Sequence, residues 1–212
     1  MARIETLNTS IKLVERRESD GYWVVRWDFK PKLDSEGNET GIYWYEEEAF
    51  NWIPTIEDVQ TAIIKWCNEQ TDAVIKHGFK WKGINVLLTE ENKFNFALFT
   101  IEAERRENEI ADWDIKHPEI AGIYVICREE VDENGNKVII EEPTGRKKSR
   151  LPITFKLSES NDLSSFYTFT TIRELKDFTS ASTDHLNGAY EAGWYKIATF
   201  DWSPYINALK EL

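Results

Sequence analysis

Two different periodicities of apolar residues follow each other in the N-terminal part of the chain. Along residues 22–30, apolar side chains recur at every second position, which is the pattern of a half-buried β-strand. The residues on that apolar face are Trp23, Val25, Trp27 and Phe29. After Pro54 the spacing becomes three and four residues, which is typical of an amphipathic helix. This change predicts an antiparallel sheet at about residues 10–50 and a helix at about 55–77.

The sheet is expected to be a three-stranded meander. Its strands are predicted over residues 10–17, 22–30 and 41–45. Gly21 separates the first two strands, and the polar segment 34–38 has the composition of a turn. Short turns between consecutive strands favour antiparallel pairing.

The predicted helix has both a start signal and a stop signal. Thr55 and Asp58 are spaced approximately as a capping box, and Gly78 suits the left-handed residue that ends many helices. The apolar stripe of this helix consists of Ile56, Val59, Ile63, Trp66 and Cys67. The fold is therefore predicted to begin with a sheet packed on one helix.

A second, smaller α+β pattern follows. Residues 79–88 are predicted to form a short strand or hairpin, and Thr89 to be the N-cap of a helix that continues into a charged segment. The apolar stripe expected to pack in the core from that helix comprises Phe94, Ala97, Leu98 and Ile101. Near the C-terminus, strands over 153–157 and 165–169 precede a helix that is expected to end by Gly193.

Residues 110–150 are interpreted as an insertion. Two strand-like runs, at 123–127 and 137–140, flank an Asn-Gly dipeptide at 134–135, which is a strong hairpin signal. The insertion ends in a basic cluster at 145–150. This cluster is interpreted either as a solvated loop or as a docking patch for an acidic partner.

The predicted fold class is α+β, with an N-terminal antiparallel β-sheet and a packed helix, followed by a small α+β unit. Residues 1–78 are assigned to the first domain. Residues 79–212 are assigned to the second domain, which carries the inserted hairpin at about 110–150.

Composition and charge argue against several classes of function for this chain. The chain has 212 residues, of which 41% are hydrophobic, so a sizeable core is available. Its 26 basic and 38 acidic side chains give a formal net charge of −12, which opposes binding to nucleic-acid phosphates. No apolar run reaches the roughly 20 residues of a membrane-spanning helix. We therefore expect neither a nucleic-acid partner nor membrane insertion.

The sequence offers no recognisable constellation of catalytic or ligating residues. His77, His117 and His185 lie far apart, and none has the spacing of a zinc motif. Glycine-rich phosphate loops and a nucleophile elbow are also missing. Asp112 and Asp114 would share one face of a strand as an acid–base pair, but 38 acidic residues produce such pairs by chance. We predict no catalytic residue, no cofactor-binding residue and no metal ligand.

Two groups of short motifs, within residues 71–96 and 151–203, carry a family resemblance. The first group comprises Thr71, Ile75, Gly78, Phe79, Trp81, Gly83, Val86, Leu88, Glu91, Asn92, Asn95 and Phe96. The second group lies at residues 151–156, 167–169, 193–194 and 200–203. Together they resemble a domain-of-unknown-function family found towards the C-termini of phage and prophage tail-fibre and tail-associated proteins of gut bacteria.

The resemblance covers about residues 70–212, apart from an insertion near 105–150, and departs from the family pattern at Lys93, where glutamine is expected. It implies a non-enzymatic structural component of a bacteriophage virion, such as a tail, baseplate or tail-fibre attachment protein. The implied partners are other phage structural proteins, in a homo-oligomer or a larger assembly. The implied location is the virion, assembled in the cytoplasm of the host bacterium. The alternative is a glycan-binding module at a fibre tip used in host recognition.

Aromatic residues provide the candidates for an interaction surface. The chain contains nine Trp, eight Tyr and eleven Phe residues. One sheet face and one helix stripe cannot bury every ring of the first ~80 residues, since a domain that small buries only ~60% of its chain surface. The rings proposed for a second face are Tyr22, Tyr43, Trp44, Tyr45 and Trp52. Core packing, contact with a neighbouring subunit and glycan binding all remain open for these rings.

Overall fold

Ten β-strands and four α-helices are present in the part of the chain that the computed structural model describes, residues 2–6, 11–160 and 162–212. Strands and helices do not alternate along the chain, and every paired strand is antiparallel. The predicted α+β class is confirmed.

The chain divides into two units of dense internal contact. Unit 1 contains residues 1–74 and 189–212, and unit 2 contains residues 75–188. The sequence-based boundary after residue 78 differs from this division at the C-terminus. The reason is that apolar residues near the C-terminus pack into the core of unit 1, together with residues that lie far from them in sequence.

Unit 1 is built on an antiparallel sheet. Its strands are β1 (Ala2–Thr6), β2 (Val14–Arg16), β3 (Trp23–Leu33) and β4 (Glu39–Phe50). They lie in the order β1-β4-β3-β2, so the predicted meander of three consecutive strands is confirmed and β1 is added at the edge of β4. The first predicted strand, 10–17, is observed only over β2, and Ser10 lies outside the described residues.

The loop between β3 and β4 is closed by one carboxylate. Asp34 Oδ1 accepts hydrogen bonds from the backbone N–H groups of Glu36 and Asn38, at 2.8 and 2.9 Å. These bonds lower the pKa of Asp34, and the Asn38 N–H is the largest cause. Gly37 adopts the left-handed φ of 88° that the loop requires. The turn predicted from composition at 34–38 is confirmed.

A β-bulge interrupts the regular pairing of β3 with β4. Trp27 pairs with Glu46, but the next pair joins Lys30 to Trp44, so β3 has one extra residue over this stretch. Asp28 has a φ of 54°, a conformation that few non-glycine residues adopt. After the extra residue, side chains of β3 that would otherwise lie on one face of the sheet lie on the other face.

Phe29 therefore lies on the sheet face opposite Trp27. Its ring contacts the ring of Tyr45, with a centroid distance of 5.6 Å. The prediction that Phe29 continues the apolar face of β3 is wrong, because a single bulged residue leaves no trace in the spacing of apolar residues.

Helix α1 (Ile56–His77) packs on the face that contains Trp27. Its capping box is complete, because Thr55 N–H donates to Asp58 Oδ2 at 2.8 Å and Asp58 N–H donates to Thr55 Oγ1 at 3.2 Å. The buried core of unit 1 consists of Val14, Val25, Trp27, Val59, Ala62, Ile63, Trp66, Cys67 and Tyr205. The stripe predicted for this helix thus faces the sheet.

The last helices are α3 (Ile172–Ala198) and α4 (Ser203–Lys210). In α4, Tyr205 is buried and its Oη donates to the carbonyl oxygen of Arg26 in β3 at 3.0 Å. Burial raises the pKa of this phenol. A hydrogen bond between residues so distant in sequence fixes α4 on the sheet of unit 1.

Helix α3 does not end at Gly193, and this prediction is wrong. The helix continues for five more residues, to Ala198. A Cβ atom at Gly193 would lie 2.2 Å from Thr71 Oγ1, so the glycine permits α3 and α1 to approach closely within unit 1.

Unit 2 contains three hairpins and a long helix. The hairpins are β5 (Phe79–Trp81) with β6 (Ile84–Val86), β7 (Val125–Val131) with β8 (Lys137–Pro143), and β9 (Ile153–Lys156) with β10 (Phe166–Phe169). Helix α2 (Glu90–Lys116) follows the first hairpin, and α3 begins in this unit. The hairpins predicted near 79–88, within 110–150 and near the C-terminus are confirmed.

The first hairpin of unit 2 starts at a glycine that no other residue could replace without strain. Gly78 has a φ of 74°, and a Cβ atom there would lie 1.6 Å from the carbonyl oxygen of Val86. At the opposite end, Lys82 and Gly83 both have positive φ, as a type I′ turn requires. The predicted helix stop at Gly78 is confirmed.

An aromatic cluster forms the centre of unit 2. Phe178 of α3 contacts Phe79, Trp81 and Phe96 at ring-centroid distances of 5.9, 5.3 and 4.9 Å. Other fully or nearly fully buried apolar residues of this unit are Val86, Leu88, Phe155, Leu157, Phe169 and Leu175. Through these rings, the β5–β6 and β9–β10 hairpins both pack against α3 within unit 2.

Candidate interaction surface

The five aromatic residues proposed for an interaction surface are distributed over different parts of the sheet. Tyr43 and Tyr45 lie on the face opposite α1, whereas Trp44 lies on the same face as Trp27 and α1. Tyr22 precedes β3 and Trp52 follows β4, both at the other end of this strand pair.

Their exposure also differs. Trp52 and Tyr22 are 54% and 45% exposed, whereas Tyr45 is only 7% exposed. Trp52 Nε1 donates to Asp58 Oδ2 at 3.2 Å, and Lys32 Nζ lies 5.1 Å from the centre of the Trp44 ring. Within the described sheet, the proposed group therefore includes core, partly covered and exposed rings.

The second face of the sheet carries a buried ion-pair network. Arg26 Nε donates to Glu47 Oε2 at 2.8 Å, and both side chains are nearly inaccessible to solvent. Arg26 also pairs with Glu15 at 2.5 Å, and Arg17 pairs with Glu47 at 2.5 Å. Burial would lower the Arg26 pKa, but hydrogen bonds to Glu15 and Glu47 outweigh it and raise that pKa.

The Arg26 guanidinium lies 5.5 Å from the centre of the Tyr45 ring. Tyr45 is thus held between this ion pair and Phe29 rather than presented to a partner. On the second face of the sheet, the face opposite α1, charged side chains are therefore paired with one another.

Helix α2 exposes the apolar residues that were expected in the core. Phe94, Leu98 and Ile101 are 66%, 41% and 64% exposed. The residues that α2 buries are Phe96, Thr100, Ala103 and Ile110. The predicted core-facing stripe at Phe94, Ala97, Leu98 and Ile101 is therefore wrong, and Phe94, Leu98 and Ile101 are called the α2 stripe below.

Charged residues lie at both ends of the α2 stripe. Glu91 lies seven residues before Leu98 and Arg105 lies seven residues after it. Two turns of helix separate residues seven apart, so all three project from the same side of α2. Arg105 pairs along the helix with Glu102 and Glu109 at 3.1 and 2.6 Å, and both contacts are exposed to solvent.

The basic cluster at 145–150 makes contacts to the C-terminal half of α2. Arg146 donates from Nε and Nη2 to the two carboxylate oxygens of Asp114, at 2.6 and 2.7 Å. Lys147 pairs with Glu109 at 2.8 Å, and Arg106 donates to the carbonyl oxygen of Lys148 at 3.2 Å. The cluster is therefore largely occupied by contacts within unit 2.

The carboxylates Asp112 and Asp114 do not form an acid–base pair. Both lie in α2, where residues two apart project in different directions, whereas a strand would have placed them on one face. The Arg146 hydrogen bonds lower the pKa of Asp114 to about 2. Asp114 is consequently a structural anion over the physiological pH range.

The β7–β8 hairpin exposes nearly every side chain. All seven residues of β7 are exposed, including Val125 and Val131, and β8 exposes Val138 and Ile139. Its loop repeats the pattern of the loop between β3 and β4, since Asp132 Oδ1 accepts from the backbone N–H groups of residues 134 and 136, as Asp34 Oδ1 does from those of residues 36 and 38. A two-stranded hairpin that is exposed to solvent on both faces gains little stability from the burial of apolar surface.

A pair of rings on α3 was also missed from the sequence. Trp194 is 63% exposed, and its ring is nearly parallel to that of Tyr190, with a centroid distance of 5.8 Å and an interplanar angle of 17°. The adjacent Tyr195 is 71% exposed. Helical spacing predicted the α3 helix, but it could not show which turn remains uncovered.

Two of the histidines contact aromatic rings. His117 stacks on Trp113 at 4.3 Å, and His185 contacts Phe79 at 5.9 Å. Over the residues that the structure describes, no group of three His, Cys, Asp or Glu side chains could hold a metal ion. In the same residues, no helix combines the length and apolarity needed to cross a lipid bilayer.

Compared with protein-family models, with curated proteins and with solved structures, the chain matches none of them.

Proposed function

We propose that the chain is a non-enzymatic structural component of a bacteriophage virion, a tail, baseplate or tail-fibre attachment protein that acts through protein–protein contacts. The proposal starts from the resemblance of residues 70–212 to phage tail-associated proteins. The observation that carries it further is the α2 stripe, which exposes three large apolar side chains to solvent. The stripe lies on α2, whose first turns belong to the segment that carries the resemblance.

Two polar residues at the start of α2, within the segment that carries the resemblance, support a scaffold role because they bond to local backbone. Thr89 Oγ1 accepts from Asn92 N–H at 3.2 Å, and Asn92 Nδ2 donates to the carbonyl oxygen of Leu87 at 2.9 Å. Gly78 is required by its φ and by the proximity of Val86. Groups used in this way fix a helix and a hairpin in place and are not free to contact a substrate.

Exposed apolar surface supports contacts with other proteins. Single exposed apolar residues are ordinary, but large contiguous patches usually mark interfaces. The stripe places three such side chains at spacings of four and three residues, on one side of one helix. Other phage structural proteins are the proposed partners, in the virion that assembles in the bacterial cytoplasm.

Deletion of the gene from a phage-producing strain tests this proposal. We expect particles that lack a tail, baseplate or fibre substructure in negative-stain micrographs, and recovery of that substructure when the wild-type gene is supplied on a plasmid. Complete, infectious particles from the deletion strain would contradict the proposal.

A glycan-binding module is the second candidate, and the rings on α3 favour it. The Tyr190 and Trp194 rings are nearly parallel and Trp194 is mostly in solvent, which suits stacking against a sugar ring. Binding of host polysaccharide to the purified chain, abolished by Trp194→Ala and unaffected by Phe94→Ala, would support this function. Equal binding by both variants would argue against a site at these rings.

A further inference from the structure

The α2 stripe has a charge pattern that selects its occupant. Its apolar centre is Phe94, Leu98 and Ile101. Glu91 lies on the same side of the helix at the N-terminal end of the stripe, and Arg105 lies at the C-terminal end. Each is about 10 Å along the helix axis from Leu98, because seven residues at a rise of 1.5 Å separate them.

Glu91 and Arg105 lie at equal distances on either side of Leu98, and this spacing determines which residues face each other when two copies of α2 pack together. When a second copy of α2 lies antiparallel to the first, with a two-fold axis at Leu98, residues seven before Leu98 face residues seven after it on the partner. Glu91 of each copy then faces Arg105 of the other, and the two apolar centres overlap. In this arrangement the apolar side chains of the two copies meet, and each Glu91 lies opposite an Arg105 that also contacts Glu102 and Glu109 of its own helix.

A parallel arrangement lacks this complementarity. It would place Glu91 beside Glu91 and Arg105 beside Arg105, so like charges would face each other at both ends of the stripe. The ion pairs of Arg105 with Glu102 and Glu109 do not prevent the antiparallel exchange, because exposed ion pairs along a helix are weak and are screened by solvent.

We propose that the α2 stripe is a homodimer interface in which a second copy of this chain packs antiparallel, with Leu98 on the two-fold axis. Its occupant is the same stripe of the partner. The inference does not depend on the proposed function, because the purified full-length chain reports on it without any phage particle.

Sedimentation velocity over a concentration series tests the apolar part of this interface. The wild-type chain should be a dimer, and Leu98→Asp should weaken the dimer on the order of thirtyfold or more, as expected for truncating or charging a central anchor. Ile115→Asp is the matched control, because Ile115 is 77% exposed on the same helix but lies outside the overlap. A wild-type monomer, or equal effects of the two substitutions, would overturn the proposal.

Charge reversal tests the antiparallel register. Glu91→Arg alone and Arg105→Glu alone should each weaken the dimer, since each creates two like-charge contacts. The double variant should recover most of the lost affinity, because it exchanges the partners of an opposite-charge pair. Failure of the double variant to recover, with all variants folded by circular dichroism, would exclude this register.

Cross-linking locates the symmetry axis. Leu98→Cys, in a Cys127→Ser background that removes the exposed native thiol, should form a disulfide-linked dimer under mild oxidation. Ile115→Cys in the same background should remain monomeric on a non-reducing gel. Faster cross-linking of Ile115→Cys than of Leu98→Cys would contradict the assigned axis.

Discussion

Gly193 of α3 faces Thr71 of α1 so closely that a Cβ atom on the glycine would lie 2.2 Å from the threonine hydroxyl oxygen. Thr71 Oγ1 is held in place by a 3.0 Å hydrogen bond to the carbonyl oxygen of Cys67. Both residues belong to unit 1, and each lies in one of the two groups of short motifs identified in the sequence. The two motif groups, distant in sequence, therefore meet at a helix–helix contact.

Gly193→Ala is expected to lower the free energy of unfolding by roughly 1–3 kcal/mol, the usual cost of overpacking. Gly188→Ala in the same helix is the control, because nothing lies within 4 Å of its added Cβ and the better helix propensity should stabilise by up to ~1 kcal/mol. In a Thr71→Ala background the Gly193→Ala cost should shrink by at least ~0.5 kcal/mol. Urea denaturation measures all three, and an unchanged cost in that background would refute the contact.

Gly78→Ala should be far more damaging than Gly83→Ala. Both glycines have positive φ, which costs an L-residue roughly 1–2 kcal/mol. Only Gly78 also has a backbone atom in the space of a side chain, the Val86 carbonyl oxygen at 1.6 Å. We expect a loss of at least ~3 kcal/mol for Gly78→Ala, measured by thermal melting, and equal losses at the two positions would show that φ alone matters.

The sequence predicted the positions of helices and hairpins better than it predicted which side of each helix or strand is buried. The α1 stripe, the capping box at Thr55 and Asp58, and the hairpins were identified because each depends on a few adjacent residues. Helix α2 has apolar residues on two sides, Phe96 on one and Phe94 on another, and periodicity cannot tell which side a distant hairpin will cover.

Two other differences have equally specific causes. The bulge at Asp28 adds one residue to β3 and moves Phe29 to the second face, although the alternation continues unbroken in the sequence. Gly193 has the residue type of a helix stop but serves close packing against Thr71. The first difference is visible only in the pairing of β3 with β4, and the second only in the contact between α3 and α1.

Tyr45 and Trp52, both proposed as interaction residues, should respond differently to truncation. Tyr45→Ala is expected to destabilise by roughly 3–5 kcal/mol, since Tyr45 is buried beside Arg26 and Phe29. Trp52→Ala should cost no more than ~1 kcal/mol, because Trp52 is 54% exposed and has one hydrogen bond to Asp58. Similar melting temperatures for the two variants would contradict these positions.

The Asp114–Arg146 pair should contribute to acid sensitivity. The pKa of Asp114 is about 2 in the folded protein and is ordinarily 3.8, so its stabilising contribution is complete above about pH 5 and is lost as the pH falls towards 2. The difference in unfolding free energy between wild type and Asp114→Asn should therefore be constant near neutrality and shrink between about pH 4 and pH 2. A difference that stays constant down to pH 2 would mean that the ion pair does not form.

The copy number of this chain in gradient-purified phage particles tests the proposed function most directly. Quantitative mass spectrometry with isotope-labelled peptides measures that number against a tail-tube subunit. A structural component predicts co-sedimentation with particles and a fixed ratio that survives repeated banding. Recovery of the chain only from the unbound fraction of the lysate, with none in the banded particles, would contradict a role in the virion.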